Sequence, residues 1–138
     1  MVKSDIGDTN IFNITNAEQY RCQIMHYHNR LSRLYIAVYK GDDRHAPPIF
    51  YLLFIDVGYF DCPTSWQGAD FMIDTGDACI QLMLDTGLVG AALLRFPNAY
   101  ASITENAYLY VATTNADRPI RIIASSANMI QKLPANLT

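Results

Sequence analysis

The chain has 138 residues, of which 51% are hydrophobic and only 17% are charged, and its net charge is −3. This length and apolar fraction suffice for one buried core but not for two ordinary domains. We therefore expect a single domain over residues 1–138, with loose segments at about 1–12 and 134–138. An acidic balance without a basic cluster argues against nucleic acid as a partner.

The cysteine content and the apolar runs predict a compartment. No apolar run approaches the roughly 18 residues of a membrane span, and the first residues lack the apolar core of a leader peptide. Cys22, Cys62 and Cys79 are odd in number and show no CxxC spacing, which disfavours a disulfide framework and a zinc ribbon. We expect a cytoplasmic protein with reduced thiols and no membrane association.

Residues 15–33 fit two structures. Thr15 and Glu18 form a capping-box pattern, and a helical stripe follows at Tyr20, Ile24, Tyr27, Leu31 and Leu34. The same segment is rich in weak helix formers, and 28–31 is equally suited to the turn of a β-hairpin. Both alternatives stay open from the sequence.

Alternating or continuous apolar runs predict strands along most of the remaining chain. They lie at 34–40, 49–60, 69–73, 91–96, 107–113 and 119–125. Loops or turns are predicted at 41–48, 61–68 and 113–119, and Gly58 is expected to mark a bulge or a close backbone contact. The prediction is an α+β fold, predominantly antiparallel β-sheet or a partly closed barrel with one or two short helices.

The tripeptide Asp-Thr-Gly occurs twice, at 74–76 and 85–87. Asp caps backbone amides and Gly adopts positive φ, so each copy is suited to a chain reversal. Asp77 is then predicted to cap a short helix over 78–85 that Gly87 stops, with a hairpin strand over 79–84 as the alternative. Under either interpretation the two motifs bound an element and catalyse nothing.

Ile73-Asp74-Thr75-Gly76 resembles the catalytic loop of the aspartic proteases over about six residues. The resemblance implies a carboxylate pair that shares a proton and activates water. The chain departs from that family at Asp77, where Ala or Ser is usual, and Leu88-Val89-Gly90 follows too soon. The second Asp-Thr-Gly lies too close in the chain to supply the partner carboxylate, although a symmetry mate in a homodimer would satisfy the geometry.

A metal site is the second catalytic hypothesis. On a strand, Cys22, His26 and His28 would share one face, and thiolate and imidazole suit zinc. We treat them as weak metal candidates, because half-buried histidines beside a core thiol explain the same pattern. No cofactor is predicted.

Charge is distributed unevenly along the chain. No Lys or Arg lies between His45 and Leu94, whereas six aspartates do: Asp56, Asp61, Asp70, Asp74, Asp77 and Asp85. They are either turn residues spread around the molecule or an acidic surface around an accessible Trp66. The second alternative gives the candidate binding residues Trp66, Asp61, Tyr59, Asp56, Asp70, Asp74 and Asp77.

These features favour a non-catalytic binding or regulatory domain that acts through protein–protein interaction. The partner would be a basic protein or a second copy of the chain, since a low-charge, tyrosine-rich chain is typical of oligomers. The alternative is a small-ligand-binding, β-barrel-like protein with tyrosines at its mouth. An aspartic-protease-like or zinc-dependent hydrolase comes third.

Overall fold

The computed structural model describes residues 10–41, 45–96, 98–112 and 119–135. Within these ranges, antiparallel strands form two sheets, ordered β5-β1-β2-β3-β9 and β4-β8-β7-β6. The strands are β1 (Tyr20–His28), β2 (Arg33–Lys40), β3 (Phe50–Ile55), β4 (Tyr59–Asp61), β5 (Ser65–Gln67), β6 (Met72–Ile73), β7 (Tyr108–Ala112), β8 (Ile120–Ala124) and β9 (Ser126–Ile130). The predicted α+β class with antiparallel sheet is confirmed, and the described strands form two open sheets and not a closed barrel.

The segment left open by the sequence forms the hairpin β1–β2. A short 3-10 helix, Ala17–Gln19, precedes it, and Asn16 at the start of this helix adopts a left-handed conformation and makes no side-chain cap. Cys22 and Ile24 of β1 lie opposite Val38 and Ile36 of β2 in the register. Burial of this alternating apolar set in the core outweighs the local capping pattern.

Residues 49–60, predicted as one strand, are divided between the two sheets. The chain leaves β3 at Asp56, whose φ is 56°, and then joins β4 in the other sheet. The amide of Val57 donates to the Ser32 carbonyl, and that of Gly58 donates to the Ile123 carbonyl. The apolar run is continuous because Val57 stays in the core of Leu52 and Phe54, and Tyr59 then packs against the cluster under α1. Composition alone therefore does not reveal the corner.

The core lies between the two sheets. Phe54 of β3 packs edge-on against Phe71 and Tyr110, with ring centroids 5.1 and 5.3 Å away. The remaining buried members alternate along the strands of both sheets and include Cys22, Leu34, Ile36, Val38, Leu52, Trp66, Ile120 and Ile122. The two sheets therefore pack as a sandwich whose inner faces supply most of the buried apolar surface.

Two helices lie on the side of the four-stranded sheet. Helix α1 (Gly76–Thr86) buries Cys79, Leu82 and Met83 against Leu109 and Ile123, and α2 (Ala99–Asn106) packs against α1. None of the helices in the described ranges is long and apolar enough to span a bilayer.

Several predicted elements require correction. Residues 91–96 are not a strand, because Ala91–Arg95 forms a 3-10 helix from residues of good helix propensity. The turn predicted at 61–68 contains β5, which pairs with β1. Strand β9 and helix α2 were not predicted. The strands predicted at 34–40, 107–113 and 119–125 are confirmed as β2, β7 and β8. Of the strand predicted at 69–73, only the two residues of β6 are in strand conformation.

The chain ends fall partly outside the described residues. Of the predicted loose N-terminal segment, only residues 10–12 are described, and they are tied to the fold. Asn10 forms a bridge with Met72, and the Ile11 amide donates to the Phe71 carbonyl. The clear turn predicted at 113–119 lies outside the described residues except for Pro119.

Candidate functional site

Trp66, expected to be an accessible anchor, is buried. Only 6% of its surface is exposed, and in the β5–β1 register it lies opposite Cys22, on the inner face of the sheet. Its indole Nε1 is buried and has no hydrogen-bond partner within the described part of the chain. The expectation of an exposed indole was wrong because β5, hidden in a segment of turn composition, fixes this side chain against the core.

Three of the candidate aspartates serve the fold locally. Asp70 accepts hydrogen bonds from the backbone amides of Phe12, Ile14 and Phe71, at 2.8–3.0 Å. Asp61 forms an ion pair with Arg121 at 3.0 Å. Asp56 accepts a hydrogen bond of 2.9 Å from the Ser125 hydroxyl.

The candidate residues Asp74 and Tyr59 also lie apart. Tyr59, Ile123 and Leu109 are aligned across β4, β8 and β7, and the Asp74 amide donates to the Leu109 carbonyl. Asp74 is thus three strands away from Tyr59, or about 14 Å at the usual strand spacing. Tyr59 itself packs against the cluster under α1. The turn-residue interpretation of the aspartates therefore fits the structure better than the acidic surface.

The two Asp-Thr-Gly motifs bound helix α1, as predicted. Thr75 is the N-cap, since its hydroxyl accepts a hydrogen bond from the Ala78 amide, and Gly87 ends the helix with a φ of 81°. Asp77, predicted as the cap, instead accepts a hydrogen bond from the Tyr100 hydroxyl of α2, and this bond raises the pKa of Tyr100. The helix separates Asp74 from Asp85 by about 16 Å, too far for them to share a proton.

A cavity of about 230 Å³ lies beside the first motif and is lined by Asp74, Thr75, Cys79, Thr104 and Tyr108 among others. Cys79 is the nucleophile that this cavity would offer. Burial, and secondarily the charge of Asp74, raises the pKa of its thiol. The thiol is therefore protonated at neutral pH, and the cavity holds no activated nucleophile at this position.

The zinc candidates are separated by a β-bulge. The register of β1 with β2 shifts between Ile24 and His26, so Cys22 faces the core while His26 and His28 lie on the opposite face of the sheet. Burial raises the pKa of the Cys22 thiol to about 12, and this thiol contacts the Gly68 carbonyl at 3.6 Å. The described residues contain no group of three or more potential metal ligands.

What the fold does bring together is the side of the five-stranded sheet that faces away from the core, which we call the outer face. From the strand register, its side chains are Arg21, Gln23, His26 and His28 of β1, Arg33, Tyr35, Ala37 and Tyr39 of β2, Tyr51, Leu53 and Ile55 of β3, Ser65 and Gln67 of β5, and Ser126, Asn128 and Ile130 of β9. All except Tyr35 and Ala37 are exposed or half-buried.

The outer face is basic and aromatic. It has two arginines and two histidines, and none of its described members is Asp or Glu. The rings of His26, His28 and Tyr35 form a contiguous group, with His26 centred 6.0 Å from His28 and 6.3 Å from Tyr35. A chain with a net charge of −3 therefore presents one sheet face without any described carboxylate.

An open cavity of about 420 Å³ lies at the β5 side of the outer face, lined by Arg21, Gln23, Tyr39 and Ser65. The Arg21 guanidinium lies over the Tyr39 ring, 4.3 Å from its centroid. Its Nη1 donates a hydrogen bond of 3.1 Å to Gln23 Oε1. The cation is thus held in place by Tyr39 and Gln23, and no carboxylate of the described residues pairs with it.

The sequence does contain a signal for this face that the prediction missed. Between Glu18 and Asp42 there is no acidic residue, whereas four basic residues occur: Arg21, Arg30, Arg33 and Lys40. The acidic middle of the chain is the stronger signal in the sequence, because its six aspartates outnumber the four basic residues of this acid-free hairpin. The bulge in β1, which turns His26 and His28 outward, leaves no comparable trace in the residue pattern.

Comparisons of the chain with protein-family models, curated proteins and solved structures give no match.

Proposed function

We propose that the protein is a non-catalytic binding domain that recognises an acidic segment of a partner protein through its outer face. The observation that carries the proposal is the charge on that face, which has the arginines Arg21 and Arg33 but no described carboxylate. The proposed partner is acidic, whereas the aspartates in the sequence suggested a basic one. Asp56, Asp61 and Asp70 make contacts within the fold, and Asp74 lies across the sheet from Tyr59, so these side chains do not form an acidic surface.

The arrangement of charge supports recognition of an extended acidic segment. Arg21 and Arg33 lie near opposite ends of the β1–β2 hairpin, about 20 Å apart at the usual rise per strand residue. Tyr39, Tyr51 and Leu53 lie between or beside them and supply half-buried apolar surface. Positive potential speeds the encounter with an acidic partner, while aromatic side chains provide contact area.

A second copy of the chain fits this face less well. A two-fold interface places the same patch on both subunits, so Arg21 and Arg33 of one copy would face a surface of the same sign. We therefore propose that the partner is a different protein. A cytoplasmic location accompanies the proposal, because Cys22, Cys62 and Cys79 are free thiols, as expected in a reducing compartment.

The proposal is tested by mapping the binding of a short peptide of alternating glutamate and tyrosine on the ¹⁵N-labelled protein. A lysine–tyrosine peptide of equal length is the control ligand. We expect the acidic peptide to shift amide resonances of β1, β2 and β3, and the double variant R21Q/R33Q to bind at least tenfold more weakly. The matched control Arg95→Gln removes an exposed arginine outside the sheets and should bind like the unmodified protein.

Three results would overturn the proposal. They are no binding of the acidic peptide, shifts confined to the helices, and equal affinity of R21Q/R33Q and the unmodified protein. If the double variant does not fold by circular dichroism, the single variants Arg21→Gln and Arg33→Gln are measured in its place.

A further inference from the structure

The cavity beside Arg21 is built by three adjacent strands. Arg21 and Gln23 come from β1, Tyr39 from β2 and Ser65 from β5, and the register places Arg21 opposite Tyr39 and Gln23 opposite Ser65. Hydrogen-bonded strands in a sheet hold their side chains more rigidly than loops do. The polar groups of this cavity are therefore positioned before any ligand binds.

Hydrogen-bond donors dominate the cavity. The Gln23 carbonyl oxygen already accepts from Arg21, which leaves its amide nitrogen as a donor. Neither that nitrogen nor the Ser65 hydroxyl makes a hydrogen bond elsewhere in the described ranges of the chain. Arg21 uses one N–H group toward Gln23 and retains others. No lining residue within the described part of the chain has a carboxylate side chain.

The cavity has one positive charge, the Arg21 guanidinium, with hydrogen-bond donors around it. It is therefore suited to a ligand group with one negative charge. Arginine binds carboxylates through two parallel N–H groups, and its stack on Tyr39 fixes the plane in which those groups lie. A phosphate monoester carries nearly two negative charges at neutral pH. Arg33, the other arginine of the outer face, lies opposite His28 in the strand register, near the far end of the hairpin. It is too far from the cavity to supply a second positive charge.

We infer that this cavity is a carboxylate site, which receives a glutamate or aspartate side chain of the acidic partner segment. The inference rests on the proposed function, since it names the subsite of the outer face that binds a single acidic side chain of the partner. Gln23 and Ser65 donate to the carboxylate oxygens alongside Arg21. Tyr39 supports the guanidinium from beneath.

The test uses small probes that do not depend on the partner. N-acetylglutamate α-amide carries one side-chain carboxylate, and N-acetylglutamine α-amide is its neutral match. We expect only the carboxylate probe to shift the Arg21 Nε and the Ser65 amide resonances. Arg21→Gln should weaken the binding of this probe at least fivefold, as should Arg21→Lys, which keeps the charge but loses the planar fork. Arg95→Gln, the matched control outside the sheets, should leave it unchanged.

Several results would overturn the inference. They are equal shifts with the glutamine probe, equal weakening by Arg95→Gln, and tighter binding of phenyl phosphate than of the carboxylate probe. Ser65→Ala, at an exposed edge position, serves if the Arg21 variants do not fold, and loss of the Ser65 donor should weaken carboxylate binding at least twofold.

The inference and the proposed function fail separately. If the acidic peptide binds the outer face but the small carboxylate leaves Arg21 unshifted, the carboxylate site is wrong and the binding surface stands. If the small carboxylate binds at Arg21 but the peptide does not bind, the site takes a free carboxylate ligand, and the protein-binding function is wrong.

Discussion

Arg21 and Tyr39 lie directly opposite each other on β1 and β2, and the guanidinium of the first lies 4.3 Å from the ring centroid of the second. A cation stacked on an aromatic ring at an exposed site gains about 0.5–1 kcal/mol. That energy holds the guanidinium near the surface of the sheet, and no described carboxylate pairs with it. The charge thus remains available to a ligand.

Replacement of Tyr39 should weaken binding without a comparable loss of stability. In Tyr39→Leu the guanidinium loses its stacking partner and becomes mobile, so the affinity for the acidic peptide should fall by about two- to fivefold, the equivalent of the stacking energy. Tyr39→Phe retains the ring and should bind like the unmodified protein. The measurement is isothermal titration calorimetry, and equal affinities of the Leu and Phe variants would show that the stack has no role.

Asp70 should be the most important aspartate for stability. Its carboxylate accepts hydrogen bonds from the amides of Phe12, Ile14 and Phe71, so Asp70→Ala leaves three partly buried donors without an acceptor. We expect the free energy of unfolding in urea to fall by about 2–4 kcal/mol. Asp85→Ala, which removes an exposed bond to Gln81, should change it by less than about 0.5 kcal/mol. Similar losses in both variants would refute this role of Asp70.

Stability should decline at alkaline pH. Burial raises the pKa of Cys22 from 9.0 to about 12, and burial followed by the charge of Tyr108 raises that of Tyr110 from 10.0 to about 12. Between pH 9 and 11 the unfolded chain therefore releases protons that the folded protein retains, which favours unfolding. The stability contributed by these groups is complete below pH 9 and is lost progressively as the pH rises toward 12.

The size of this decline is measurable by urea unfolding at a series of pH values. Since one pKa unit corresponds to about 1.4 kcal/mol, the Cys22 thiol alone should account for a fall of about 2 kcal/mol between pH 9 and 11. Cys22→Ala should show a shallower decline that retains the part due to Tyr110. The same slope in both proteins would mean that Cys22 does not contribute.

Gly76 allows α1 and α2 to approach closely. A Cβ at this position would lie 3.1 Å from Thr104 Cγ2, so Gly76→Ala should lower the free energy of unfolding by about 1 kcal/mol through overpacking. The double variant G76A/T104S removes the clashing methyl group but keeps the Thr104 hydroxyl bond to the Tyr100 carbonyl, and should recover most of the loss.

Gly90→Ala is the control for this pair, because no described residue beyond its chain neighbours lies within 4 Å of the added Cβ. It should be neutral within about 0.5 kcal/mol. Thermal unfolding followed by circular dichroism distinguishes the variants. A double variant as unstable as Gly76→Ala would contradict the packing account.

The sequence predicts the strands and the helix that have local signals. The alternation in β2, the apolar runs of β7 and β8, and Gly87 at the end of α1 all follow from side-chain periodicity and turn chemistry. The corner at Asp56 and the short strand β5 do not. Both depend on pairing with distant segments, Asp56 with Ser125 and Trp66 with Cys22, and such pairing has no local signature.

The candidate site was predicted less well than the fold. The expected site depended on an accessible Trp66 and on gathered aspartates, but the register of β5 buries the indole and separate elements hold the carboxylates. The outer face was within reach of sequence reasoning through the acid-free stretch from Gln19 to Gly41. The bulge that turns His26 outward could not be predicted from the sequence. A bulge moves the following side chains to the other face of the sheet, and it requires no particular residue type.

A charge swap on the outer face tests the central claim most directly. The variant R21E/R33E reverses both arginines, and its affinities for the glutamate–tyrosine and lysine–tyrosine peptides are measured by calorimetry beside those of Arg95→Glu. We predict that R21E/R33E no longer binds the glutamate–tyrosine peptide and binds the lysine–tyrosine peptide instead. Arg95→Glu should still bind the acidic peptide more tightly than the basic one. Retention of the acidic peptide by a folded R21E/R33E would contradict the assignment of this face as the binding surface.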